Sequence, residues 1–394
     1  MIYRQASQEI KNLTRSFRVT VVSGPRQSGK TTLLKSEFGD YKYYNLEDLN
    51  TLDIIRADPM GFVRSNSRVV VDEVQRLPEL LSAIQVAVDE RQLLGDYILS
   101  GSQNLLISER ISQSLAGRAA YQTLLPLSIK ELADSGDLRR DFASQMWSGF
   151  YPAVYSTGVN PTTYYTQYVA TYVERDVRAI KNVQDLGLFR KFMMLLAGRI
   201  GQLVNYESLA NDTGVSTNTV EQWLSVLEAS YIIYRLKPYH ANINKRLTKS
   251  SKIYFIDTGL ACYLLGIGEP REVKTHYLLG GLFENMCIMD IRKQLINTSG
   301  IQAELYFYRD SNDKEVDLVV SVGASRLIPI EIKASGRPAS SFTDGIESFK
   351  TALEVKKDIE VSSGYVIYTG HEEVTIRDIR YLNWASFDTK FFRI

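Results

Sequence analysis

The chain predicts an α/β protein, and three observations carry that prediction. A complete G-x-x-x-x-G-K-[ST] loop, Gly24-Pro25-Arg26-Gln27-Ser28-Gly29-Lys30-Thr31, lies between the apolar Val19, Val21 and Val22 and the helix-like Thr32-Leu33-Leu34-Lys35. About forty residues later Val69-Val70-Val71 has buried-strand character and ends in two carboxylates, Asp72 and Glu73. From about residue 17 to 135, short apolar strands alternate with amphipathic stretches, the pattern of a parallel sheet covered by helices. Three domains are expected: 1–135, a P-loop parallel sheet; 136–250, helical with a winged helix; and 251–394, a second α/β domain. At 394 residues the chain is long enough for each to bury its own core.

The loop residues are those that a nucleoside triphosphate site needs. Glycines let backbone N–H groups curl around phosphates, Lys30 reaches the β- and γ-phosphates, and the Thr31 hydroxyl ligates Mg²⁺. The helix that opens at the loop adds a favourable dipole. Gly24, Pro25, Arg26, Gln27, Ser28, Gly29, Lys30, Thr31 and Thr32 are therefore the expected ATP-binding set. Asp72 is expected to support Mg²⁺ and Glu73 to polarise the attacking water. The strand Tyr97–Ser100 runs into Gly101-Ser102-Gln103-Asn104, a polar cluster at the strand edge that faces the ligand crevice in open α/β sheets. Ser102 is the candidate sensor of the γ-phosphate, with Asn104 in reserve. Arg118, after Gly117 at the end of an amphipathic segment, is a candidate arginine finger or sensor, in its own site or across a subunit boundary. Arg175 is the alternative.

The segments Ser23–Thr32, Val71–Gln75, Leu99–Ser102 and Ala116–Arg118 resemble the AAA+ ATPases that pair an AAA domain with a C-terminal DUF4143 region. The resemblance covers nearly the whole chain. It implies Mg-ATP binding, an oligomeric or nucleotide-switched working form and a DNA-linked role.

In the middle region, Asn205–Leu227 reads as helix, turn, helix. Ala210 permits close packing, Gly214 supplies the turn, Ser216 caps the second helix, and Val220, Trp223, Leu224 and Leu227 form its buried face. Tyr231–Leu236 then supplies the strand of a wing. The second helix exposes Thr217, Asn218, Glu221 and Gln222; amides and hydroxyls suit DNA, whereas Glu221 repels phosphate. The run from Lys237 to Lys252, with Lys245, Arg246 and Lys249, contains no acid and is expected to bind a phosphate backbone or to be a solvated loop.

In the last region strands are expected at Ile253–Ile256, Leu305–Arg309, Glu315–Val322 and Leu327–Ala334, with a helix around Gly281–Ile288. Asp317 precedes Glu331 by fourteen residues, and the i, i+2 relation puts Glu331 and Lys333 on one face of a strand. This resembles the PD-(D/E)XK nuclease, or restriction-endonuclease-like, core. The resemblance implies that Asp317 and Glu331 hold Mg²⁺, that Lys333 orients or activates water, and that Glu284 completes the metal shell from a helix. The short motif is not specific, since Glu354-Val355-Lys356 also fits it.

A formal charge of +1 gives no global attraction to nucleic acid, so any DNA contact must be local. Cys262 and Cys287 lie in apolar surroundings without metal-ligand spacing and read as buried free thiols of a reducing compartment. Neither a signal-peptide pattern nor a membrane span is visible, so a cytoplasmic location is expected. Two function classes follow. One is an ATP-driven DNA-processing enzyme, working as a homo-oligomer on DNA such as branched DNA, with cleavage by the C-terminal acids. The other is an ATP-dependent switch or scaffold that binds a protein partner and carries a non-cleaving nuclease-like domain. A transcription regulator built on the winged helix ranks last because it leaves those acids unused.

Overall fold

In the computed structural model, residues 2–102, 115–173, 185–239, 250–298, 303–310, 312–323, 325–354 and 358–392 are described. They form two compact units, one of residues 1–127, 229–231 and 296–299, the other of 128–228, 232–295 and 300–394.

The first unit is built on five parallel strands, β1 (Val19–Ser23), β2 (Lys42–Asn45), β3 (Val69–Asp72), β4 (Tyr97–Gly101) and β5 (Ala119–Thr123), in the spatial order β2-β3-β4-β1-β5. The three central strands are buried along their whole length, which is why they read as nearly continuous apolar runs. Alternate residues serve opposite faces. Val19, Val21, Val69, Val71, Tyr97 and Leu99 form one core with helices α3 (Leu49–Ala57), α4 (Pro59–Ser65) and α5 (Leu80–Arg91). Val22, Val70 and Ile98 form the other with α1 (Ala6–Ser16) and α2 (Lys30–Glu37), through Ile10, Leu33 and Leu34. The carboxyl ends of β1, β3 and β4 therefore come out along one edge of the sheet, carrying the Gly24 loop, Asp72 and Ser102.

The second unit begins with α6 (Ile129–Ser135), α7 (Phe142–Ser148), α8 (Pro152–Ser156), α9 (Pro161–Tyr168), α10 (Leu186–Ala197), α11 (Tyr206–Thr213) and α12 (Thr217–Ala229). A turn joins α11 to α12: Gly214 is left-handed, and Ser216 Oγ accepts the Thr219 N–H at 3.1 Å. Val220, Trp223, Leu224 and Leu227 are buried, while Thr217, Asn218, Glu221 and Gln222 are exposed. The strand β6 (Ile233–Pro238) pairs antiparallel with β7 (Lys252–Phe255) and parallel with β8 (Ala303–Arg309). One sheet therefore spans the expected middle and C-terminal domains. It continues through β9 (Glu315–Val322), β10 (Arg326–Lys333), β12 (Tyr365–Tyr368), β14 (Ile379–Asn383) and β13 (Val374–Ile376), with β11 (Glu360–Val361) paired to β10. Further helices accompany these strands: α13 (Thr258–Leu264), α14 (Pro270–Thr275) and α15 (Leu279–Asn297) precede β8, and α16 (Asp344–Leu353) lies between β10 and β11 in the chain. Ile346 and Phe349 of α16 pack on Val316, Val319, Leu327, Val366 and Tyr381.

Both cysteines are free and buried, as expected. Among the described residues no helix is long and apolar enough to cross a membrane.

Candidate functional site

The loop after β1 has a backbone that its sequence dictates. Gly24 has φ +150°, and a Cβ there would lie 2.2 Å from the Leu124 carbonyl oxygen, so no side chain fits. Gln27 and Gly29 are left-handed, with φ +60° and +93°, as in loops that turn successive N–H groups toward an anion. Lys30 is buried and donates from Nζ to the carbonyls of Gly24 (2.9 Å) and Pro25 (2.8 Å). Ser28 Oγ is buried without a hydrogen-bond partner, an orphaned hydroxyl inside the loop that a phosphate oxygen would satisfy. Thr31 and Thr32 are exposed in the first turn of α2. Arg26 lies 3.9 Å from Glu47.

Asp72, at the end of β3, is held by four donors. Thr31 Oγ1 (2.6 Å) and the Tyr43 hydroxyl (2.5 Å) donate to Oδ2, while Ser100 Oγ and the Glu73 N–H (3.1 Å) donate to Oδ1. The sequence pointed to Thr31 but not to Tyr43 or Ser100. Burial, and then the bond to Asp72, hold the Tyr43 hydroxyl well above its ordinary pKa, so it remains a donor. Glu73 is left-handed (φ +57°), and its Oε2 accepts from Gln75 Nε2 and lies 3.4 Å from Ser102 Oγ. Gln75 Nε2 also lies 3.3 Å from Ser102 Oγ. Burial raises the Glu73 carboxyl above its ordinary value, opposed by the charges of Lys30 and Arg26. Lys30, Thr31, Asp72, Glu73 and Ser102 are thus brought to one sheet edge. The donor set, a hydroxyl and a carboxylate bonded to each other, is hard oxygen and suits Mg²⁺.

Arg118 is not brought there. It precedes β5, whose Ala119 is in register with Val19, the first residue of β1. It therefore sits at the amino edge of the sheet, about 16 Å of strand from the loop at about 3.3 Å per residue. Its guanidinium pairs with Asp89 through Nε and Nη2, each at 2.6 Å. Asn104 and Arg175 lie outside the described residues.

A second charged site is built within the second unit. Glu284 comes from α15, Glu315 and Asp317 from β9, and Glu331 and Lys333 from β10. Two further residues, which the sequence did not single out for this site, are Lys252 and Tyr254 of β7. Lys333 Nζ lies 2.5 Å from Glu331 Oε1 and 3.5 Å from Asp317 Oδ2, which also accepts the Ile332 N–H at 2.8 Å. Lys252 Nζ lies 3.1 Å from Glu284 Oε1 and pairs with Glu315; the Tyr254 hydroxyl donates to the same Glu284 oxygen. Burial, with the neighbouring Asp317 charge, pushes both Glu284 and Glu331 well above the ordinary carboxylate range. Burial works against the charge of Lys252 and Lys333, but the carboxylates around them outweigh it and keep both ammoniums protonated.

This arrangement changes two expectations. Lys252 is not a free cation of the basic run, because it is buried among carboxylates; Lys237 is exposed, and Lys245, Arg246 and Lys249 lie outside the described residues. Glu284, Asp317 and Glu331 also do not form a ready three-carboxylate shell: among the described residues no three His, Cys, Asp or Glu side chains are grouped to hold an ion. The lysines divide the acids into two pairs. Glu331 Oε2 nevertheless stays buried and unpartnered beside Asp317, so these two carboxylates fit a hard cation. Glu354 lies outside this cluster's contacts, and Lys356 lies outside the described residues.

The parallel sheet, with the glycine-rich loop at its carboxyl edge, has the arrangement of a P-loop fold. Residues 16–133 match the family described as AAA domain, residues 139–271 a domain of unknown function (DUF8612), and residues 279–387 a domain of unknown function (DUF4143). The chain thus combines a region similar to the AAA domain with a C-terminal region similar to DUF4143. It is 28% identical over 380 residues to an uncharacterized protein of Mycobacterium tuberculosis, covering 95% of this chain and 82% of that one. An uncharacterized protein of Haemophilus influenzae is 23% identical over 282 residues, 63% of this chain and 69% of its own. Among solved structures, a Walker-type ATPase of Pyrococcus abyssi is similar with a TM-score of 0.47 and 15% identity, over 67% of this chain and 96% of that one.

Proposed function

We propose that the chain is a Mg²⁺-dependent ATPase that acts on DNA, remodelling or translocating it, and that its second charged site hydrolyses phosphodiester bonds. The observation that carries the ATPase reading is the 2.6 Å bond from Thr31 to Asp72, one residue from Lys30 and one from Glu73. When bound, Mg²⁺ supplies charge neutralisation on the phosphates. Thr31 and Asp72 hold it, with Tyr43 and Ser100 fixing the Asp72 carboxylate. Lys30 exchanges its loop carbonyls for phosphate oxygens, and Ser28 adds a hydroxyl. Glu73 takes the proton of the attacking water, while Ser102 and Gln75 orient its carboxylate. In the second unit, Asp317 and Glu331 hold a divalent cation and Lys333 orients the water.

Contact with DNA rests on α11, α12 and the β6–β7 pair, read as a winged helix. The exposed Thr217, Asn218 and Gln222 of α12 meet DNA, and Lys237 contributes charge. A homo-oligomeric working form and a cytoplasmic location belong to the same reading. ATP hydrolysis measured with single-stranded, duplex and four-way-junction DNA at two salt concentrations tests it. Stimulation by one form, lost at high salt, supports it; turnover indifferent to every DNA overturns it.

One observation favours a second reading, a nucleotide switch that binds a protein partner through a non-cleaving second unit: Lys252 already neutralises Glu284. A metal-dependent DNA cut that is abolished by Glu331→Ala and Lys333→Ala excludes it.

A further inference from the structure

We propose that Lys252 is a built-in cation of the second charged site: its ammonium takes the place between Glu284 and Glu315 that a second divalent ion would fill, and leaves Asp317 and Glu331 to bind a single exchangeable one. The inference rests on reading that cluster as a cation site.

The two lysines of the site differ in a way that assigns their roles. Lys252 is only 4% exposed, emerges from the strand β7, lies over the Phe307 ring at 5.6 Å and bridges two carboxylates from different elements. An ammonium is buried this deeply only when opposite charge compensates its desolvation. Lys333 is 35% exposed, at the end of β10. The oxygens differ in the same way. Glu284 Oε1 receives both Lys252 and the Tyr254 hydroxyl. Glu331 Oε2 is buried, with its side chain only 9% exposed, and receives nothing. An unsatisfied carboxylate oxygen in that setting marks where a cation is missing from the charge balance.

The formal charges agree. With all four acids ionised, the form that would bind a cation, Glu284, Glu315, Asp317 and Glu331 carry four negative charges against two positive ones on Lys252 and Lys333, so one divalent cation completes neutrality. Arg309, 3.8 Å from the other Glu315 oxygen, is itself paired with Asp313 at 3.0 Å. Without Lys252 the deficit rises to three, and the Glu284 and Glu315 oxygens it bridges become available to a second ion.

The test counts Mn²⁺ ions bound per full-length chain without nucleotide, by loss of the free-ion electron paramagnetic resonance signal. Lys252→Met is expected to bind one ion more than wild type, and Lys252→Arg, which keeps the charge, the same number. Equal counts for wild type and Lys252→Met overturn the role of Lys252. Glu331→Gln is expected to bind one ion fewer than wild type; an unchanged count there overturns the underlying reading of Asp317 and Glu331 and leaves the Lys252 comparison to stand by itself. If Lys252→Met does not fold, Glu284→Gln decides: an unchanged count supports the proposal, because its oxygen is already taken, and a lost ion overturns it.

Discussion

Lys30→Met removes one ammonium and keeps an apolar stem of similar length. That ammonium donates to the carbonyls of Gly24, at 2.9 Å, and Pro25, at 2.8 Å. Engaging a phosphate exchanges those bonds rather than adding to them. A charge-assisted hydrogen bond contributes about 1.5–3 kcal/mol net, and each neutral-acceptor bond given up is worth about half of that. With one bond to each of the β- and γ-phosphates against the two carbonyl bonds, the net loss of ATP binding energy is about 1.5–3 kcal/mol, a weakening of roughly 10- to 150-fold. Calorimetric titration with ATP and Mg²⁺ measures it, and a thermal melt of the free protein checks that the loop still folds. ATP affinity within twofold of wild type, in a folded variant, refutes the placement of the phosphates in this loop.

Gln75→Leu removes the amide that favours the ionised form of Glu73. Burial already holds that carboxyl above its ordinary value of 4.5, and a base must be ionised to act, so activity is lost as pH falls through the raised value. The acid limb of the kcat profile is expected above pH 4.5 in wild type and higher still in Gln75→Leu; a limb that does not move removes Gln75 from the site. Asp257 is buried and accepts from Phe150 N (2.7 Å), the Tyr165 hydroxyl (2.6 Å) and Leu260 N (3.0 Å). Asp257→Ala orphans these donors and is expected to cost about 3 kcal/mol, roughly 6–12 °C in the melt of the second unit. Burial pushes both the Cys262 and Cys287 thiols up, so neither should react with a disulfide reagent at pH 8 until the protein unfolds. Fast labelling of the native protein would contradict their burial.

Much of this was legible in the sequence because it is local. Gly24–Thr31 is one short segment, and Val69–Glu73 ends a strand whose burial shows as an apolar run. The buried face of α12 shows in the spacing of Val220, Trp223, Leu224 and Leu227. The strand β5 was not legible, since Ala119-Ala120-Tyr121-Gln122-Thr123 alternates weakly and has no β-branched run. Tyr43 stands on a half-exposed edge strand, and nothing near it in sequence shows that its hydroxyl meets Asp72. Arg118 could not be placed from sequence for a related reason: only the register of β5 against β1 reveals which edge of the sheet it occupies. Lys252 ends a cation-rich run and reads as solvated, although pairing of β7 with β6 takes it into the carboxylates. The same sheet hides the boundary expected at residue 250, because β6 finds β8 more than sixty residues away, beyond any local pattern.

The account rests most directly on Glu73 as the base of an ATPase. The measurement that tests it is ATP binding and ATP turnover by Glu73→Gln beside wild type, in Mg²⁺. The amide keeps the size of the side chain and its contact with Gln75, so ATP affinity is expected to stay within a few-fold. Turnover is expected to fall by about 10²- to 10⁴-fold, as for removal of a general base. Hydrolysis at the wild-type rate, with ATP bound, contradicts the central claim.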